Sequence, residues 1–529
     1  MADAVGGAKG GAKGGARGGA KVGGAPEPED SQATGGPGSA GLSWLQLAVV
    51  AYAFNCGGAY GIESAVGQGG AFFCVLFLCV FGLLWALPQA LMTAELATAF
   101  PRNGGSLYWI EAGLGRRWAL VAAVCLNFGQ ALDMAVYPGL LTSYLGVLWP
   151  AVAADARVAF GVQAGVVLAQ AAFNVLGLEV LTSVSYATMA VALFPFLALP
   201  LAAAAQRRPF EPGAAGPAAT PDGLRSNQAV FAATMLWVFQ GWSSVGSLAA
   251  DVRDPRRSYP RAMLLLVAAT VATYAVPILY SVALAPDLAD WDEGFFGELA
   301  QSVAPWLGVC MALGGVASNF AAGLNSFAMY SRFLQATAAE RYVPVAALGR
   351  DDTTRFGTPV NAIALLTVST LALTNVDFDA LLGVDTLFNA LSVVLVSASF
   401  LRLRIVAPAL ARPYFVPGGM AVAAAAAGST FALCGVSAVV AALSSWASVL
   451  IVGGVAAAAY AAAWFREGRA GGGAASFEHG MAIAAAAAPP PGSMPPGTAG
   501  QAATPSERTS LLGRVGRAYS IAAAAGGKA

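Results

Sequence analysis

Charge is what this chain has least of. Lys, Arg, Asp and Glu together make up 11% of its 529 residues, against 57% hydrophobic residues. A soluble protein of this length needs far more polar surface, so the composition indicates a chain with many membrane spans. Histidine is nearly absent, and the one copy, His479, lies near the C-terminus. That removes from the apolar region a histidine metal site, a Ser-His-Asp arrangement and a histidine proton relay. No nucleophile–base pair replaces them, so an enzyme, a cofactor and a metal are not expected. The six cysteines, Cys56, Cys74, Cys79, Cys125, Cys310 and Cys434, all fall in apolar runs. They read as small hydrophobes rather than a disulfide framework. The net charge is zero, which says little about partners because the distribution of the charges decides; a nucleic-acid partner is not expected.

About twelve runs are long enough to cross a hydrocarbon layer of roughly 30 Å. They lie near 43–66, 71–99, 117–147, 157–177, 179–204, 228–250, 260–285, 304–336, 359–375, 380–405, 417–442 and 445–466. Placing the N-terminus inside puts about sixteen Arg in inward loops against about four outward, which predicts cytosolic termini. The loop near 286–303 is then outward and acidic, with Asp287, Asp290, Asp292, Glu293 and Glu298.

The ends read as separate from the spanning region 42–466. Residues 1–41 are rich in Gly and Ala and read as a disordered cytosolic tail, as do residues 467–529. In the second tail, Glu507 with Leu511 and Leu512 has the spacing of an acidic dileucine signal for a sorting adaptor. The plasma membrane is the expected location, with an endosomal or vacuolar membrane the alternative if that signal acts.

Two runs are interrupted at corresponding places. The first carries Gly57, Gly58, Tyr60, Gly61 and Glu63, and the second carries Gln240, Gly241, Trp242 and Ser243. Glycine clusters at membrane depth leave backbone N–H and C=O groups without helical partners, which lipid does not satisfy. One break in each half of a polytopic chain points to a transporter of inverted repeats with its site near the midplane. Close helix packing is the alternative for either break taken singly.

Several strings, in matching order from about 42 to 466, resemble the amino acid–polyamine–organocation superfamily. They are Gly57-Gly58-Ala59-Tyr60-Gly61-Ile62-Glu63, Thr93-Ala94-Glu95-Leu96-Ala97-Thr98-Ala99-Phe100-Pro101 and Asp133-Met134-Ala135-Val136-Tyr137-Pro138. Asp251-Val252-Arg253-Asp254-Pro255 and Arg412-Pro413-Tyr414 add to them. The branch resembled is that of the plant-type polyamine uptake transporters, related to the L-type amino-acid transporters. The resemblance implies an all-α membrane protein with a five-plus-five inverted repeat, broken in helices 1 and 6, working by alternating access. Two positions depart from the family pattern. Ser243 stands where the broken sixth helix usually has Asp, and Val396 where the tenth span commonly has Glu.

Ionisable groups inside spans face a cavity, pair with something or relay protons. Glu63 follows the first break, where freed N–H groups favour its anion; a charge at the outer interface is the alternative. Asp133 lies mid-span beside Tyr137 and is the first candidate for an ammonium group, with a structural acid the alternative. Tyr60, Tyr137 and Trp242 are placed to meet a cation with their ring faces. Glu95, Asp251 and Arg253 are expected in ion pairs of a cytosolic gate, near Arg102 and the Arg253–Arg257 cluster, with substrate contact the alternative for Glu95 and Asp251. Asp385 opens its span and reads as a helix N-cap.

Two acids near one cavity suit a ligand with amines at both ends, such as putrescine or spermidine. The expected function is proton-coupled polyamine uptake, with Glu63 or Asp133 carrying the proton; a sodium site stays open. An L-type-like carrier of neutral or cationic amino acids is the first alternative, and a non-transporting nutrient receptor the second.

Overall fold

The computed structural model describes residues 41–216, 228–350 and 357–468, apart from residues 289, 290, 293, 377 and 409. His479, Glu507, Leu511 and Leu512 lie outside the described residues, as do both tails except at their inner edges. Among the described residues the chain is helical, and the one β-type contact is an isolated bridge between Leu42 and Val252. Each run expected to span carries helix, and among the described residues nine helical segments, Glu63–Ala99 taken as one, are long and apolar enough to cross a membrane.

The chain enters through α1 (Trp44–Asn55), whose start is fixed by a capping box between Ser43 and Gln46. After the break, α2 (Glu63–Phe81) is interrupted at Gly70, where φ is 75° and only glycine is comfortable. A π-helical turn at Gly82–Ala86 leads into α3 (Leu87–Ala99), and the short α4 (Ser106–Leu114) follows. Next come α5 (Arg116–Leu148), the single turn α6 (Pro150–Ala154), α7 (Ala156–Leu176) and α8 (Leu178–Ala205).

The second half opens with α9 (Gln228–Trp237), breaks, and continues as the 3-10 run Trp242–Asp251. It proceeds through α10 (Pro255–Leu284), α11 (Phe295–Val303), α12 (Pro305–Ala339), α13 (Val360–Leu373) and α14 (Phe378–Val406). The last two spans are α15 (Gly419–Ser444) and α16 (Trp446–Gly468). Pro255 and Pro305 stand in the first turns of α10 and α12, where a missing N–H costs nothing.

The long helices α5 and α12 lie at the centre, packed on each other, with α8 against α12 and α14 against α5. The outer helices α7 and α16 bury little of their surface and present Leu168, Leu450 and Phe465 outwards. A peripheral span in lipid has no water to hide from, so apolar exposure there is expected.

Candidate functional site

Both breaks are glycine-made. In the first, Gly57, Gly58 and Gly61 have φ of 66°, 133° and 86°, a left-handed region that a side chain resists. The freed groups find partners within the protein. The N–H groups of Cys56 and Gly57 both donate to Tyr52 O, at 2.9 and 3.1 Å, and Tyr274 Oη donates to Cys56 O at 3.4 Å. The Gly61 N–H donates to Glu63 Oε2 at 2.8 Å, so this buried carboxylate caps the break it follows. Tyr144 Oη donates to its other oxygen at 3.5 Å.

In the second break Gly241 takes φ of 85°. Phe239 O accepts two indole N–H groups, from Trp85 at 2.7 Å and Trp242 at 2.9 Å. The two breaks touch. A β-carbon on Gly241 would stand 2.6 Å from Phe54 Cε1 and 3.3 Å from Asn55 Oδ1, so a larger residue there would force the breaks apart.

Between the breaks and the central helices lies a cavity with about 940 Å³ of empty space, its open side included. Asn55, Cys56, Tyr60 and Gly61 come from the first break, and Trp237, Val238, Gln240, Gly241 and Ser244 from the second. Asp133 and Tyr137 come from α5, Tyr330 from α12, and Asp385, Asn389 and Ser392 from α14. Among the described residues, two carboxylates line this space and no Lys or Arg does.

Asp133 is held by hydroxyls. Tyr330 Oη donates to Oδ2 at 2.7 Å, and Tyr137 Oη reaches both carboxylate oxygens at 3.0 and 3.1 Å. Around it, Asn55 Oδ1 and Gln130 Oε1 are buried acceptors with no hydrogen-bond partner among the described residues. The side-chain amide of Asn55 donates to Ala51 O at 2.9 Å, which leaves its oxygen turned away from its own helix. Unsatisfied acceptors beside carboxylates form a place for a donor-rich ligand.

Of the residues picked from the sequence, Tyr60, Gly61, Asp133, Tyr137 and Gln240 meet at this wall. Gly57, Gly58, Glu63 and Ser243 support it from behind and are not part of the lining. Trp242 also stands elsewhere: it is 0% exposed and packed in the core, because its N–H turns back on Phe239 O.

The expected gate residues pair differently from the sequence picture. Glu95, 1% exposed, accepts from Arg404 Nε at 3.0 Å, from a second Arg404 nitrogen, and from Val416 N–H at 2.9 Å. Arg412 Nε lies 3.2 Å from the same carboxylate. Asp251 pairs with Arg332 of α12 at 2.5 Å rather than with the Arg253–Arg257 cluster. Arg102 goes to Glu340 at 3.5 Å and lies over the Tyr108 ring. Arg253 is exposed, and its backbone N–H donates to Leu42 O at 2.8 Å.

Asp385 corrects an expectation. It is no N-cap, since α14 begins at Phe378 and Asp385 lies two turns inside, on the cavity wall. The rule that ionisable residues inside spans face cavities would have found it, had the start of the span been set earlier. Asn55 stands in the first interrupted run, next to the glycines, whereas Tyr330 and Gln130 carried no signal beyond being polar within apolar runs.

A multi-pass helical membrane protein with two touching breaks and a polar cavity at their junction is a transporter of the five-plus-five inverted-repeat fold. The chain belongs to the amino acid permease family, whose pattern matches residues 42–468. It is 28% identical over 382 residues to the polyamine transporter PUT1 of Oryza sativa subsp. japonica, covering 72% of this chain and 70% of that one. It is 26% identical over 385 residues to the polyamine transporter RMV1 of Arabidopsis thaliana, covering 72% and 76%. Its fold is similar to the crystal structure of MhsT in complex with L-phenylalanine, with a TM-score of 0.54 and 13% identity over 76% of this chain and 98% of that one.

Proposed function

We propose that this transporter takes up polyamines such as putrescine and spermidine in exchange for the electrostatic work of an inward proton gradient. The observation that carries the reading is the cavity wall, with Asp133 and Asp385 on it and no basic residue. A carboxylate in a water-poor cavity needs a cationic partner, and the tyrosine hydroxyls on Asp133 orient it without neutralising it. The first break adds support. Its Gly61 N–H, of the kind that would hold a substrate carboxylate, is already taken by Glu63, which favours an amine over an amino-acid head group. Tyr60, Tyr137 and Tyr330 add ring faces to the same wall. Two relatives bear the name of polyamine transporters.

The coupled proton is assigned to Glu63, buried behind the first break and off the cavity wall, so that it crosses in the same cycle as the ligand. Two like charges in one cavity do not both stay ionised without a cation between them, and the ligand amines supply that cation.

The test is uptake into proteoliposomes of putrescine, spermidine, leucine and arginine, with and without an inward proton gradient. Putrescine or spermidine should lead and respond to the gradient. Asp133→Asn keeps shape and hydrogen-bonding capacity but removes the charge, and should abolish amine uptake while the protein stays folded. Preferred leucine uptake, or normal amine uptake by Asp133→Asn, refutes the reading and makes Asp133 a structural acid of an amino-acid carrier.

A further inference from the structure

We propose that the cavity grips two amino groups of one ligand at once, one on Asp133 and one on Asp385, so that Asp385 sets the preference for diamines over monoamines. This rests on the reading of the cavity as an organic-cation site.

Asp385 is 5% exposed and faces the cavity, and it makes no hydrogen bond or ion pair among the described residues. A structural acid buried this deeply would have donors on it, as Asp133 and Glu95 do. Gln130, 8% exposed and on the same wall, has a buried Oε1 with no hydrogen-bond partner among the described residues. Two buried polar side chains on this wall thus find no donor among the described residues.

The placement of two acids on one wall favours a diamine. Asp385 Oδ1 lies 3.6 Å from the position that a β-carbon on Gly129 would take. Gly129 and Asp133 are neighbours on one face of α5, where such positions stand roughly 5–6 Å apart. Asp385 therefore lies beside the turn of α5 that precedes Asp133, and both acids border the same cavity. In an extended butane-1,4-diamine the nitrogens are roughly 6 Å apart, from bonds of about 1.5 Å. Such a segment occurs in putrescine and at one end of spermidine, and it places one ammonium against each acid. A monoamine or a zwitterion fills one acid and leaves the other buried and bare. The second break holds the pair in place. Gln240 Nε2 donates to Thr386 Oγ1 at 2.9 Å, fixing α14 beside Asp385 to the broken sixth span.

The experiment is competition against radiolabelled putrescine uptake in proteoliposomes by n-butylamine and by diamines of three to six carbons. Wild-type protein should prefer the 1,4-diamine over butylamine by about 10- to 100-fold, the worth of one charge-assisted contact. Asp385→Asn should bring that ratio close to one, because the diamine loses its second contact and butylamine no longer leaves a bare acid beside it. Asp385→Glu should keep a diamine preference and move its optimum to a shorter chain. Thermal stabilisation of the purified variants by each amine reads the same ratios where uptake is too low to measure. An unchanged ratio in Asp385→Asn, or equal loss of both amines, overturns the assignment while polyamine uptake by wild-type protein still stands. Wild-type protein that ignores every amine overturns the cation reading and this assignment together.

Discussion

Asp251 is the residue whose loss should open the cytosolic side. It ends the 3-10 run after the second break, and its carboxylate meets Arg332 of α12 at 2.5 Å. The two side chains are 19% and 9% exposed, so water screens the pair little. Arg332 also donates from Nη1 to Ala328 O at 2.8 Å, and it stands two residues beyond Tyr330 of the cavity wall. The backbone at Asp251 adds a staple: Leu42 N–H donates to Asp251 O and Arg253 N–H to Leu42 O, both at 2.8 Å. Entry to the first broken span, exit from the second, and the central helix α12 are thus joined at one point. If the broken-helix bundle rocks against the other spans, as alternating access expects, inward opening would separate them.

Asp251→Asn keeps the size and the staple and removes the charge. A hydrogen bond to a charged group contributes about 1.5–3 kcal/mol, which corresponds to a shift of about 10- to 100-fold between closed and open forms. Cys56 lines the cavity and provides the readout. With the other cysteines replaced by alanine, a membrane-impermeant maleimide applied to the cytosolic face should label Cys56 about that much faster in the variant. Arg332→Gln should do the same, and the double variant should match either single one, because both remove one interaction. Unchanged labelling, or additive effects, would show that the pair does not hold the cytosolic path shut.

Three further outcomes follow from named contacts. Glu95→Gln leaves Arg404 and Arg412 facing each other in the core and should cost about 3–5 kcal/mol, seen as early thermal unfolding in detergent; unchanged stability would mean that the cluster is not closed. Trp242→Ala empties a fully buried site and should cost about 3–5 kcal/mol with unaltered apparent affinity in the protein that folds. A selective loss of affinity at full stability would put the indole at the ligand. Replacing Leu511 and Leu512 by alanine should move a fluorescent fusion towards the cell surface if the Glu507–Leu512 stretch routes the protein inwards, and no redistribution means a chance match.

The sequence by itself determined the spans, because hydrocarbon thickness sets a length and charge is expelled from it. It also determined the two breaks, since glycine with polar neighbours at membrane depth has few other uses, and it placed Glu63 beside freed N–H groups. Asp133 was legible for the same reason: an acid in mid-span has to face something polar. What only the tertiary structure decided is which side of each helix looks inwards and which distant residue answers it. Glu95 meets Arg404 across 309 residues of chain, and Asp251 meets Arg332 across 81. Asp385 turned to the cavity and Trp242 turned away from it. A spanning helix is apolar on nearly every face, so its sequence carries no amphipathic stripe to fix its rotation. Rotation is set by packing against neighbouring helices, and that packing exists only once the whole bundle has assembled.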